Sequence, residues 1–220
     1  MTMFKQKKAI IFDLDGTLVD SMHVWEKVDI DFLEKRGHSV PADLFSNLPQ
    51  GDGLLSIAKY FKARFSLPDD VDSILDEWNS MLLDFYSQVT LINGAYELLG
   101  KLKNSHKILG MGTSNSEVLA QAVLLNNKIR DYFSSVVTGC KLERGKPFPD
   151  IYLTVAKELG VRPEECVVIE DTTHGVEAAK NAGMSVIAIY NDFSKSDVPL
   201  LKQKADRFVH DYNELDSLLF

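Results

Sequence analysis

Two aspartates, Asp13 and Asp15, stand two residues apart in the stretch IIFDLDGTLVD (10–20), after four apolar residues and before a glycine. Hard carboxylate oxygens this close suit a cation of the magnesium type, which takes one or two protein carboxylates and completes its octahedron with water and phosphate. Alone, the pair also reads as an aspartate-rich turn, a helix cap or a calcium loop. The calcium loop fails on spacing, because Asp13, Asp15 and Thr17 are followed by Leu18 and not by the central glycine. Company farther along the chain raises the pair above a turn. Thr113, Ser114 and Asn115, then Lys146, then Glu170 with Asp171 all follow apolar runs of strand length.

Phosphoryl transfer is the chemistry that suits this set. Asp13 and Asp171 can supply carboxylates to one cation from two strand ends, leaving an Asp13 oxygen as nucleophile toward phosphorus and a phosphoaspartate as the expected intermediate. Asp15, past the strand and in the turn at Gly16 and Thr17, is the candidate general acid for the leaving oxygen and general base for the hydrolytic water. Thr113, with Ser114 and Asn115 beside it, is placed to bind phosphoryl oxygens, and Lys146 to neutralise charge on the transferring group. Each residue also has a plainer reading. Thr113 or Ser114 can cap a helix over 116–126, Lys146 can be a surface charge, and Asp171 or Glu170 can cap the helix that begins THGVEAAKNAG, Asp171 being the better candidate. Their ordered placement at successive strand ends carries the functional reading.

The elements that must hold these residues are legible as period and length. Continuous apolar runs at 8–12, 108–111, 135–138, 166–170 and 185–189, with a weaker one at 207–209, predict buried parallel strands. Helical stripes lie between them: Val118, Leu119, Ala122, Val123 and Leu125; Ile151, Tyr152, Val155, Ala156 and Leu159 before Gly160; Val176, Ala179 and Ala182 before Gly183. The alternation predicts an α/β fold with a Rossmann-like, mostly parallel sheet. After the first strand, however, come three further stripes: Val24, Val28 and Phe32; Leu54, Ile57, Phe61 and Phe65; and Val71, Ile74, Leu75, Trp78, Leu82 and Phe85. Their aromatic content reads as the core of an inserted all-helical cap. The expected division is a core domain of residues 1–20 and 89–220 with a cap of 21–88. Ligands of open α/β sheets bind beyond the carboxyl ends of the strands, where the polar residues above fall.

Composition narrows the partners. The 220 residues hold 24 basic and 32 acidic side chains, a net charge of −8, with no basic cluster to override it, so nucleic acid is not an expected partner. No stretch approaches the roughly 20 apolar residues of a membrane span, the amino terminus lacks a long apolar signal core, and a cytoplasmic location is expected. Cys140 and Cys166, without CxxC or histidine spacing, read as ordinary thiols. GCKLERGKP has five residues between its glycines where a phosphate loop has four, and GMGTSN lacks the third dinucleotide glycine.

The four segments DLDGTLVD (13–20), TSN (113–115), KPFPD (146–150) and VVIEDTTHG (167–175) together resemble the haloacid dehalogenase superfamily, in the phosphatase and phosphoglucomutase-like branch with a helical cap after the first strand. The resemblance spans essentially the whole chain. It implies a Mg2+-dependent enzyme acting on a small phosphorylated metabolite, with Asp13 as nucleophile, Asp15 as acid/base, Thr113 and Lys146 on the phosphoryl group, and Asp171 with Glu170 as metal-binding acids. By the same resemblance Asp15 gives the metal its backbone carbonyl. Dehalogenases of the superfamily lack the second aspartate, so Asp15 favours phosphoryl transfer. Hexose-phosphate mutases keep all four motifs and are expected to carry a histidine twelve residues after the nucleophile and an arginine in the cap. Here Trp25 holds the first position, with His23 two residues earlier, and the cap segment LPQGDGLLS has no arginine. A phosphatase is therefore the first expectation and a mutase the second. A phospho-acceptor signalling module, the reading from another class, would be near half this length and have no task for Asp15. Gln50, Asp52, His23 and Lys59 are the polar cap candidates for substrate contact, each also readable as solvated surface.

Overall fold

A computed structural model of the chain describes residues 2–48, 54–139 and 142–220. Its centre is a sheet of six parallel strands, β1 (Ala9–Phe12), β2 (Ile108–Thr113), β3 (Ser135–Thr138), β4 (Cys166–Glu170), β5 (Ser185–Ile189) and β6 (Arg207–Val209), in the order β3-β2-β1-β4-β5-β6. All six expected runs are strands. They are apolar throughout because both faces of a parallel sheet are covered, and the period of two divides each strand between two cores. Ile10, Phe12, Val167, Ile169, Ile187 and Ile189 pack on one face; Ala9, Ile11, Cys166, Val168, Val186 and Ala188 pack on the other.

The first face is covered by α5 (Ala95–Lys103), α6 (Glu117–Asn126) and α10 (Tyr212–Leu219), through residues such as Leu99, Leu119 and Leu215. The second is covered by α7 (Asp150–Leu159), α8 (Thr173–Asn181) and α9 (Val198–Lys204), through Val155, Val176 and Leu201. A four-residue helix, α1 (Thr2–Lys5), precedes β1.

Between β1 and α5 the chain builds α2 (Met22–Lys35), α3 (Leu54–Phe65) and α4 (Val71–Tyr86), which pack on one another, with α4 also against α6. Phe32, Phe61 and Trp78 meet edge to face in their centre, with centroids 5.0–6.2 Å apart, so the aromatic stripes form a bundle core as expected. The third stripe runs one residue out of the expected phase at its end. Ile74, Trp78, Leu82 and Tyr86 are buried, and Phe85 is 42% exposed. The exit and return of the chain are pinned together: Val19 bridges Leu91, and the Ile92 N–H donates to the Leu18 carbonyl at 2.8 Å.

Two cap expectations change. The N-cap of α6 is Ser116, whose hydroxyl accepts from the Leu119 N–H, and the N-cap of α8 is Thr172, whose hydroxyl accepts from Gly175. A cap residue must precede the first helical turn in extended backbone, and those two positions meet that condition. Thr113, Ser114, Glu170 and Asp171 are thereby spared from capping.

Candidate active site

Sheet order decides where the polar residues meet. From β1 the chain moves outward to β2 and β3, then crosses back to β4 on the other side of β1, so the crevice beyond β1 and β4 is a topological switch point. The register aligns Phe12 with Ile169, and the Asp13 N–H donates to the Ile169 carbonyl at 3.0 Å. Asp13 and the Glu170–Asp171 pair, 157 residues apart in sequence, therefore leave adjacent strands together.

Asp13, Glu170 and Asp171 are buried, and one oxygen from each lies within 4.8 Å of the others. Lys146, from the loop after β3, enters this cluster with Nζ 2.6 Å from Asp13 Oδ1 and 2.6 Å from Glu170 Oε1. The Tyr152 hydroxyl donates to the same Glu170 oxygen at 2.9 Å. The other Glu170 oxygen accepts from the N–H groups of Asp171 and Thr172 and from the Thr172 hydroxyl. Both Glu170 oxygens are thus committed to orienting Lys146 and the start of α8. Asp13 and Asp171 carry the less encumbered oxygens. Asp171 lies over Gly16, where a Cβ would stand 2.1 Å from Asp171 Oδ2, and its Oδ1 accepts from the Thr17 hydroxyl at 3.3 Å.

Three acids around one ammonium leave an excess of negative charge. Burial pushes Asp13 up to about 8 despite Lys146, with Glu170 and Asp15 adding to the rise. Burial, then Glu170 and Asp13, drive Asp171 well above the carboxylate range. Burial works to raise Glu170 too, but Lys146 and the N–H donors hold it below its ordinary value. Burial favours neutral Lys146, and the Asp13 and Glu170 carboxylates outweigh it, keeping the ammonium charged. The proton affinity sits on the two acids with fewest donors, where a divalent cation would replace it. This set of hard oxygens fits magnesium.

Asp15 is in a different environment. Its Oδ1 accepts from the hydroxyls of Ser21 and Tyr86, and its Oδ2 accepts from the Asn115 amide at 2.9 Å. The Trp25 indole N–H donates in turn to the Tyr86 hydroxyl at 2.7 Å. Burial and the Asp15 carboxylate raise the Tyr86 phenol well above its ordinary value, so its proton stays in the bond to Asp15. Asn115 uses its amide on Asp15 and its carbonyl on the Ser116 N–H, a supporting place behind the acid. Thr113 is buried, and its hydroxyl accepts from the Asn115 N–H at 3.1 Å.

A cavity of about 250 Å³ joins these groups to the helical insertion. Asp13, Asp15, Thr113, Ser114, Asn115, Lys146 and Glu170 line its floor, and Trp25, Glu26, Asp29, Phe45 and Trp78 are among its walls. His23 and Lys59 are exposed and off this wall, whereas Gln50, Asp52 and Cys140 lie outside the described residues. Cys166 is buried in the sheet. No described helix is long and apolar enough to cross a membrane. Sequence reasoning missed Tyr86, Ser21, Tyr152 and Asp29. Tyr86 was within reach of it, since 74, 78, 82 and 86 form a continuous i, i+4 row.

Comparison with known proteins identifies the family and the fold. The family of haloacid dehalogenase-like hydrolases matches residues 10–189. A phosphorylated carbohydrates phosphatase of Thermotoga maritima is 31% identical over 183 residues, 82% of this chain and 83% of the relative. A beta-phosphoglucomutase of Bacillus subtilis is 30% identical over 194 residues, 83% of each chain. Among solved structures, CbbY from Rhodobacter sphaeroides in complex with xylulose-(1,5)bisphosphate shares the fold, with a TM-score of 0.86 at 23% identity over 95% of this chain and 96% of that one.

Proposed function

Because the chain belongs to the haloacid dehalogenase-like hydrolases, we propose that it is a magnesium-dependent phosphatase of small phosphorylated metabolites, a sugar phosphate or nucleotide monophosphate. One observation carries this reading. Two aspartates separated by a single leucine have opposite environments, Asp13 in a lysine and carboxylate cluster and Asp15 in a cradle of hydroxyls and an amide. Such a split is what a nucleophile and an acid/base need in order to act on one phosphorus centre.

In the proposed reaction an Asp13 oxygen attacks phosphorus, and the bond to the leaving oxygen breaks as Asp15 gives that oxygen its proton. Asp15, now a carboxylate, takes a proton from the water that attacks the phosphoaspartate, releasing phosphate and restoring Asp13. Thr113 donates its hydroxyl to a phosphoryl oxygen, and Lys146, fixed by Glu170, offsets the charge that builds there. Asp13, Asp171 and the Asp15 carbonyl would hold magnesium, which supplies further neutralisation of the phosphoryl oxygens. Residues 21–88 act as a cap that excludes bulk water when closed and releases product when open.

Phosphate release from a panel of sugar phosphates, nucleotides and acyl phosphates, with and without Mg2+, tests the reading. Asp13→Asn is expected to reduce turnover to background with an unchanged melting profile; undiminished turnover rejects the mechanism. The relation to a beta-phosphoglucomutase supports a second reading, hexose-phosphate isomerisation. Glucose 1-phosphate with a trace of its bisphosphate separates the two, since a mutase yields the isomer with little free phosphate.

A further inference from the structure

The wall that the helical insertion gives to the reaction cavity is apolar and acidic. Glu26 and Asp29, both on α2, line it, as does Trp78 of α4. Asp29 is only 6% exposed and has no hydrogen-bond or ion-pair partner among the described residues. The Trp78 indole N–H is likewise buried with no partner among them. Among the described residues, the basic groups on the cavity surface are Lys146, already paired with two carboxylates, and His174, and both come from the sheet side. Burial, with Glu26 adding, pushes Asp29 up to about 7, so its carboxylate form costs stability at neutral pH. A buried carboxyl left unpaired in the wall of a reaction cavity finds its partner in a ligand.

We infer that Asp29, reinforced by Glu26, selects the leaving group by charge: the protein takes monophosphates of polyols or amino-polyols and rejects esters that carry a second phosphate or a carboxylate. A hydroxyl or ammonium can donate to Asp29. A second anion would meet two like charges on a wall to which the described residues of the insertion bring no basic side chain. The inference rests on the phosphatase reading and narrows its substrate class. It also opposes the mutase reading, whose bisphosphate would need a cation on this wall.

Glucose 6-phosphate, glucosamine 6-phosphate and 6-phosphogluconate are close in size and differ in charge. With Mg2+ at about pH 7.5, kcat/KM for the first two is expected to agree within about threefold or to favour the amine, and that for 6-phosphogluconate to be about tenfold or more lower. Asp29→Asn with Glu26→Gln is expected to bring 6-phosphogluconate to within about threefold of glucose 6-phosphate. Equal use of 6-phosphogluconate by the unaltered protein, or an unchanged ratio in the double variant, overturns the inference. If no ester is hydrolysed, the phosphatase reading fails by itself. Calorimetric Kd values of the three esters for the Asp13→Asn protein then decide charge selection by the same ratios.

Discussion

At the scale of single residues, what separates Asp13 from Asp15 is their partners. Lys146 meets one, and the hydroxyls of Ser21 and Tyr86 meet the other. Tyr86 lies at the end of α4 and Trp25 near the start of α2, so both ends of the insertion converge on the proposed general acid. Removing the phenol oxygen should leave Asp15 poorly aimed. Tyr86→Phe is expected to lower kcat about tenfold or more for sugar phosphates, whose alkoxide must be protonated. For p-nitrophenyl phosphate, whose leaving group needs no proton, the expected loss is below about threefold. Steady-state kinetics on the two substrates check this, and equal losses would assign Tyr86 a structural role only.

At the scale of elements, the start of α8 explains why Glu170 serves as a scaffold. Thr172 caps the helix and donates to Glu170, while Gly175 leaves room for the carboxyl, since a Cβ there would lie 1.7 Å from Glu170 Oε1. Gly175→Ala must therefore displace the group that orients Lys146. A loss of about 1–3 kcal/mol in stability is expected from the forced fit, together with a fall of about a hundredfold or more in kcat from a misplaced Lys146. Denaturant unfolding and phosphate release measure the two effects, and full activity would show that Lys146 does not depend on Glu170. The motif VVIEDTTHG marks this segment in the sequence, but the division of labour between Glu170 and Asp171 depends on which oxygens the helix start engages. That is a matter of backbone geometry and not of residue type.

At the scale of the whole molecule, folding gathers three carboxylates and one ammonium in a buried crevice and leaves charge uncompensated. The folded metal-free protein holds a proton on Asp13 up to about pH 8, far above the ordinary 3.8 of an aspartate. The associated stability is complete below that ordinary value and is lost as pH rises through the folded one. Magnesium should return it, and should return more at about pH 8 than at about pH 5, where protons already fill the role. A saturating concentration near a hundred times Kd corresponds to about 2.7 kcal/mol, or roughly 5–10 °C for a chain of this size. Thermal melts with Mg2+ and with chelator at both pH values test this. An equal shift at both would place the metal away from Asp13.

The sequence by itself determined the strands, the helical stripes of the insertion and which acids stand as candidates for the site, because apolar period, element length and motif spacing are local quantities that a linear chain displays. It also placed the polar residues at strand ends. Tertiary structure alone decided that β1 and β4 are neighbours, which brings Asp13 to Asp171, and that Tyr86 rather than Phe85 faces inward to hold Asp15. It decided as well that Asp29, unremarked among the acids of α2, stands buried in the cavity wall with no partner among the described residues. Burial, partner and phase belong to packing between distant segments, and no spacing along the chain encodes them separately.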